Sequence, residues 1–198
     1  MENQKIKVKI EVSARHLHLC QADLNKLFGS GATLTPKNDI SQEGQFACRE
    51  TVDLLNEKNG QIKELKNVRI IGPTREHSQV ELSRSDAIWL GLDAPLRISG
   101  DHSKAADITV VGPKSKVVLK SAVIVAKRHL HANTKDLEKY GWQDGQAIKV
   151  QIPGERQLIF EQVVVRSHPS FKLTVQLDTD EGNAAGISGC TEGYIVKD

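Results

Sequence analysis

Apolar and polar residues alternate with a period of two along much of this chain. Ile6, Val8, Ile10 and Val12 interleave with Lys7, Lys9 and Glu11, which predicts a strand from Lys5 to Val12 with one face in a core. Similar runs rich in Val and Ile predict strands over 47–55, 67–71, 79–82, 95–99, 108–111, 116–119, 122–126, 147–152, 156–166, 172–177 and 194–196. Turn residues separate several of them, as at Asn59-Gly60, Gly112-Pro113-Lys114 and Pro153-Gly154-Glu155. Helical spacing is confined to four brief stretches that begin at Asp23, Asp86, Asp136 and Asp180. Each starts on an acid, carries two or three apolar positions and ends on Gly, which favours one or two capped turns. No long strand–helix–strand crossover is visible, so a doubly wound sheet is not expected.

The pattern repeats. Ala14 to Phe28 (ARHLHLCQADLNKLF) aligns without gaps on Lys127 to Gly141 (KRHLHANTKDLEKYG), and an alternating β-branched run precedes each copy. The duplicated unit reads as a strand, a His-x-His turn and a short helix starting near Cys20 or Asn133. Isolated hairpins cannot bury their apolar faces alone. The expected fold is therefore mainly β with short α-helices, as two tandem small β-barrels capped by short helices and related by the internal repeat. The expected domains are residues 1–13 plus 126–198 for one barrel and residues 14–125 for the other.

Composition narrows the function. A formal charge of +2, scattered Lys and Arg, and 4% aromatic residues disfavour a nucleic-acid surface. No apolar run is long enough to span a bilayer, and no signal peptide precedes the first strand. A cytoplasmic protein without a membrane partner is expected. Cys20, Cys48 and Cys190 are odd in number and lack CxxC spacing, so reduced structural thiols are expected rather than a disulfide framework; Cys20 is near enough to His18 to join a metal shell.

The candidate chemistry lies in the repeat. His16 and His18, and again His129 and His131, stand two residues apart, which in an extended segment turns both imidazoles to one face. Each pair is half of a site for zinc or a similar borderline metal, or else a strand end with solvated imidazoles. If the halves pack about a pseudo-twofold, the pairs would face each other and build a two-metal site. Glu81 falls between apolar neighbours in a predicted strand, where an unpaired carboxylate is costly, so it needs a cation or a metal. Arg75 follows a Gly-Pro turn and has the planar fork that suits phosphate; a structural ion pair between Arg75 and Glu81 is the alternative. Arg97 to His102 (RISGDH) offers a hydroxyl at Ser99 and backbone amides for an anion. Asp178 to Glu181 reads as helix capping rather than as a calcium loop.

These residues carry a resemblance. VSARHLHL at Val12 to Leu19, SQEGQFACRETV at Ser41 to Val52, NVRIIGPTR at Asn67 to Arg75, SQVELSRSDAIWLGL at Ser78 to Leu92, RISGD at Arg97 to Asp101, AKRHLH at Ala126 to His131 and LDTDEGNAAG at Leu177 to Gly186 resemble, in the same order, the PduL-type phosphotransacylases, the phosphate propanoyltransferases. The resemblance implies two helix-capped β-barrels with a dinuclear zinc site that interconverts acyl-CoA plus phosphate with acyl phosphate plus CoA. It places one metal on His16, His18 and Glu81, with the CoA sulfur able to approach it, and the other on His129 and His131. It associates Arg75, Ser99 and Arg166 with phosphate or the active-site pocket.

One position departs from that family. Where a third imidazole for the second metal is expected, this chain has Gln176, a poorer zinc ligand, so the second site is expected to be weaker, to use another ligand such as His168 or His77, or to be absent. The leading expectation is thus a metal-dependent phosphate acyltransferase for short acyl chains, forming a homo-oligomer. The alternative is a catalytically weak paralogue that binds metal and CoA or an anion. Microcompartment members of the family carry an additional N-terminal targeting helix; the strand pattern beginning by Ile6 predicts none here.

Overall fold

The computed structural model describes residues 5–196. The first repeat contains β1 (Ile6–Val12), β2 (His16–His18), α1 (Gln21–Phe28), β3 (Pro36–Asp39), β4 (Phe46–Lys58), β5 (Gln61–Gly72), β6 (Gln79–Leu82), α2 (Arg84–Leu90), β7 (Leu96–Arg97) and β8 (Ala106–Val111). The second contains β9 (Lys116–Ala126), β10 (His129–Ala132), α3 (Thr134–Tyr140), β11 (Ala147–Ile152), β12 (Leu158–Ser167), β13 (Thr174–Leu177), α4 (Thr179–Ala185) and β14 (Cys190–Val196). The expectation about a targeting helix falls partly on residues 1–4, outside the described residues. Among the described residues no helix is long and apolar enough to cross a membrane.

The chain divides into two compact units. One comprises the described residues up to Ala14, Ser41–Glu43 and those from Lys127 onward; the other comprises Arg15–Ile40 and Gly44–Ala126. Each unit is a closed ring of six strands, as the sequence pattern predicts. The second unit's ring runs β4, β5, β2, β6, β9, β8 and back to β4, with β3 and β7 added beside β4 and β9. The first unit's ring runs β11, β12, β10, β13, β1, β14 and back to β11. Taken in that order, both rings have the same succession of junctions: antiparallel, parallel, antiparallel, parallel, antiparallel, antiparallel. The repeat is therefore a repeat of topology. It contains one exchange: β1 opens the first repeat yet pairs with β13 and β14, while β9 opens the second yet pairs with β6 and β8.

The barrel interiors are filled by the inward residues of each strand. Leu17, Leu54, Ile70, Val80, Val110 and Val123 fill one core, joined by Leu24 and Leu27 of α1. Ile10, Leu130, Val150, Val163, Val175 and Ile195 fill the other. Because side chains alternate across a strand, the residues flanking Leu17 and Leu130, which are the four histidines, share the opposite face.

Local chemistry sets the ends of the elements. Asn59-Gly60 makes the expected two-residue hairpin between Lys58 and Gln61, with both residues at positive φ (54° and 73°). Asn133 with Asp136, and Asp178 with Glu181, form reciprocal capping boxes at α3 and α4, and Gly141 and Gly186 stop these helices at φ 69°. The expected turn at each His-x-His is corrected. His16–His18 and His129–Ala132 are short strands in the middle of their rings, held on both sides by pairing. The two expected strands at 116–119 and 122–126 are one strand with a kink, where Ser121 adopts φ 48° and its N–H donates to Asp107 (2.9 Å).

Candidate active site

Strand pairing assembles the first group of candidate residues. On β2 and β6 His16 lies directly opposite Glu81, and His18 opposite Gln79, so both imidazoles and the carboxylate project to the same face. His18 and Glu81 are buried. His16 Nε2 is 3.8 Å from Glu81 Oε2, and His18 Nε2 is 3.9 Å from Glu81 Oε1. Ligand atoms of the three residues all lie within 4.8 Å of one another. That spacing is slightly wider than the ~3.4 Å between ligand atoms of a zinc tetrahedron with bonds of ~2.0–2.1 Å.

Electrostatics shows what the group lacks. His18 Nδ1 lies 3.1 Å from the Ile71 carbonyl oxygen, which can only accept, so the neutral ring carries its proton there and turns a lone pair toward Glu81. Burial, with the neighbouring His16 and Arg75, pushes the His18 pKa down to about 3, against the pull of Glu81 and the Ile71 carbonyl. The ring is neutral at pH 7. Burial also opposes ionisation of Glu81, but His16, His18, the Ser99 hydroxyl and the Arg75 guanidinium outweigh it and hold its pKa at about 2. Since His18 carries no charge at neutral pH, it gives Glu81 no ion-pair partner there. Glu81 Oε1 is buried and without a hydrogen-bond partner. A lone pair and an unsatisfied carboxylate oxygen converge, which is costly unless a cation sits between them. The donor set of two imidazoles and one carboxylate fits zinc.

Arg75 and Ser99 stand beside this group. The Arg75 backbone N–H donates to the Leu19 carbonyl (2.9 Å), its Nη1 donates to Ser99 Oγ (3.1 Å) and its Nη2 to Gln45 Oε1 (3.5 Å). The loop holding Ser99 is fixed by Gln79, whose Oε1 accepts from the Gly100 N–H (2.7 Å) and whose Nε2 donates to the Asp101 carbonyl (3.3 Å). The Asp101 N–H donates to Ile98. The expectation that backbone amides of this loop receive an anion is thus corrected for Gly100 and Asp101, whose N–H groups are already used. Cys20 Sγ donates to Asp23 Oδ2 (3.3 Å) and is not part of the histidine–glutamate group. All three cysteines are free.

The second histidine pair lies in the other unit. His129 and His131 are buried, with their Nε2 atoms 3.0 Å apart. His129 Nδ1 is 2.9 Å from the Lys127 carbonyl oxygen, which again fixes the proton on Nδ1 and leaves Nε2 as an acceptor. Gln176 lies directly opposite His129, and Arg166 beside His131. Gln176 therefore occupies the ring position that Glu81 occupies in the other unit. Of the expected substitutes, His168 Nδ1 bonds with Ser170 Oγ (2.8 Å), and His77 is exposed beside Glu76 and His102. Neither belongs to a three-residue metal group among the described residues.

The Arg that opens each RHLH copy has a role that the sequence reading did not assign. Arg15 pairs with Asp86 in the first turn of α2, and Arg128 pairs with Glu181 in the first turn of α4 (2.8 Å). Each ties the histidine strand to the helix that follows its antiparallel neighbour. Recurrence of an acid three residues after each cap, at Ser83 and Asp178, is the signal that could have shown it.

Comparison with known proteins shows the family of the chain. The family model for phosphate propanoyltransferase matches residues 9–188. Proteins called phosphate propanoyltransferase from Lachnoclostridium phytofermentans (46% identical over 96% of this chain and 85% of the relative), Thermotoga maritima (43%, over 95% and 88%) and Clostridioides difficile (41%, over 96% and 89%) align along nearly the full length. A match of that extent, in the order of the strands that carry both histidine pairs, decides the matter: the chain belongs to the phosphate propanoyltransferase family.

Proposed function

We propose that this protein is a metal-dependent phosphate acyltransferase that interconverts a short-chain acyl-CoA plus phosphate with acyl phosphate plus CoA. Family membership supports the transfer reaction. The observation that carries metal dependence is the convergence of the His18 Nε2 lone pair with the unpartnered, buried Oε1 of Glu81. In this reading His16, His18 and Glu81 hold one divalent metal, zinc by donor type, and His129 and His131 hold a second. A bound metal would supply Lewis-acid polarisation of the thioester carbonyl and stabilisation of the thiolate.

The protein's own groups act on phosphate. Arg75, held by Ser99 and Gln45, presents a planar fork to two phosphate oxygens and lowers the cost of bringing the dianion beside Glu81. Ser99 Oγ, already accepting from Arg75, has its own proton to donate to Glu81 or to a phosphate oxygen. Arg166, in register with His131, offers its own guanidinium to an anion beside that histidine. A phosphate oxygen attacks the carbonyl carbon, the carbon–sulfur bond breaks, and CoA leaves as the thiolate; the reverse step joins the same atoms.

The test combines a metal count on purified protein with phosphate-dependent release of CoA from acetyl-CoA and propanoyl-CoA. Metal content together with release only when phosphate is present is the expected result. A fully metallated protein without release would favour the second reading, a paralogue that binds metal and CoA or an anion, for which Gln176 in place of an imidazole speaks.

A further inference from the structure

The two rings can be compared residue by residue around their histidines. In one, His16 is opposite Glu81, and Glu81 is opposite Ile124 on the next strand. In the other, the same three positions are His129, Gln176 and Glu11. The carboxylate has moved one strand outward: the ring that carries an acid beside its histidine carries a fully buried Ile beyond it, and the ring that carries an amide there carries an acid beyond it. Gln176 Nε2 donates to Glu11 Oε2 (2.8 Å) and lies 3.5 Å from Ser41 Oγ.

This contact fixes which end of the amide faces which neighbour. Glu11 is half-buried, and its other carboxylate oxygen, Oε1, accepts from Lys9 Nζ (2.5 Å). Both carboxylate oxygens thus meet donors, Gln176 presents its nitrogen to Glu11, and the carbonyl oxygen is the other end of that amide.

We propose that Glu11 is the positioning residue of the second divalent-cation site: by holding the Gln176 amide through its nitrogen, it commits the carbonyl oxygen to a metal shared with His129 and His131. The inference rests on reading those two histidines as metal ligands. A neutral amide oxygen is a weak donor, and a carboxylate that accepts from its nitrogen polarises it toward the metal, as acidic partners do behind ligating imidazoles. The ligand class is a borderline divalent cation in a two-nitrogen, one-oxygen set.

The test titrates metal-stripped full-length protein with Co2+, following its visible absorption and its competition with a chelator. Two equivalents are expected for the wild type, and His129→Ala removes one. Glu11→Met, which cannot accept a hydrogen bond, is expected to weaken that equivalent about 10- to 100-fold, the usual effect of losing an outer-shell partner. Glu11→Gln, which can still accept, is expected to remain within a few-fold of wild type. In a Gln176→Met background, Glu11→Met is expected to add nothing further. Glu11→Ser, too short to reach the amide, replaces Glu11→Met should the latter not fold. Unchanged affinity in Glu11→Met, or an equal loss in both backgrounds, overturns the positioning role alone. If His129→Ala still binds both equivalents, the second site itself is refuted.

Discussion

Removing the imidazole of His18 is expected to cost the protein one bound metal and its transfer activity, because one nitrogen and one carboxylate are too few protein ligands to hold zinc. Metal analysis of His18→Ala beside the wild type checks this, and an unchanged count would remove His18 from the ligands. Arg75→Lys keeps the charge but loses the fork, so kcat/KM for phosphate is expected to fall roughly 10- to 100-fold, the worth of one charge-assisted hydrogen bond, with the KM for acyl-CoA little changed. Steady-state kinetics with each substrate varied separates the two effects. The sequence makes His16, His18 and Glu81 legible because a spacing of two in a strand and an acid between apolar neighbours are local patterns. Glu11 is not legible in this way. It ends a row of charged residues that alternate with apolar ones on β1, and its partner Gln176 is 165 residues away, so only the closed ring shows what it does.

Helices and strands were legible to the extent that their own residues encode them. Acidic starts and glycine stops mark α3 and α4, and the Asn59-Gly60 turn marks its hairpin. β3, with the exposed sequence Pro36-Lys37-Asn38-Asp39, shows no alternation because an added edge strand buries neither face, and Pro is tolerated there. β2 and β10, at three and four residues, are too short for periodicity to register. The cap of α4 carries a pH dependence. Burial pushes the Asp178 pKa up to about 6 from 3.8; the Glu181 and Asp180 carboxylates add to this, against the backbone hydrogen bond from Glu181. Between those values the folded chain binds the proton more tightly than the unfolded chain, so this residue's contribution to stability falls as pH rises from about 4 to 6. Asp178→Asn keeps a capping oxygen and removes the titration. Measured by thermal unfolding across that range, the stability of wild type relative to Asp178→Asn is expected to decline with rising pH and then level off; a constant difference would refute the assignment.

At the scale of the whole chain, the duplicated pattern foretold two barrels, and ring closure follows from strands too short to bury their faces in any other way. The exchange of β1 and β9 has a consequence for the order of folding. β1 is made before every other strand of its ring, yet Lys9 to Val12 must await Thr174 to Leu177 before pairing, a separation that makes this the slow, high-contact-order part of the molecule. Ile6 lies opposite Ile195 on antiparallel strands, so the two ends of the described chain are neighbours. A circular permutant that links β14 to β1 and opens between Ala126 and Lys127 would write the strands of each ring as one uninterrupted run and turn the pairing of β14 with β1 into a hairpin. It is expected to bind the same number of metals as the wild type and to refold faster, as read by stopped-flow fluorescence; an equal or slower rate would mean that closing the first ring does not limit folding. The order of the strands thus leaves the ring that holds His129, His131 and Gln176 open until β14 has been made, while the ring that holds His16, His18 and Glu81 has all its strands by Ala126.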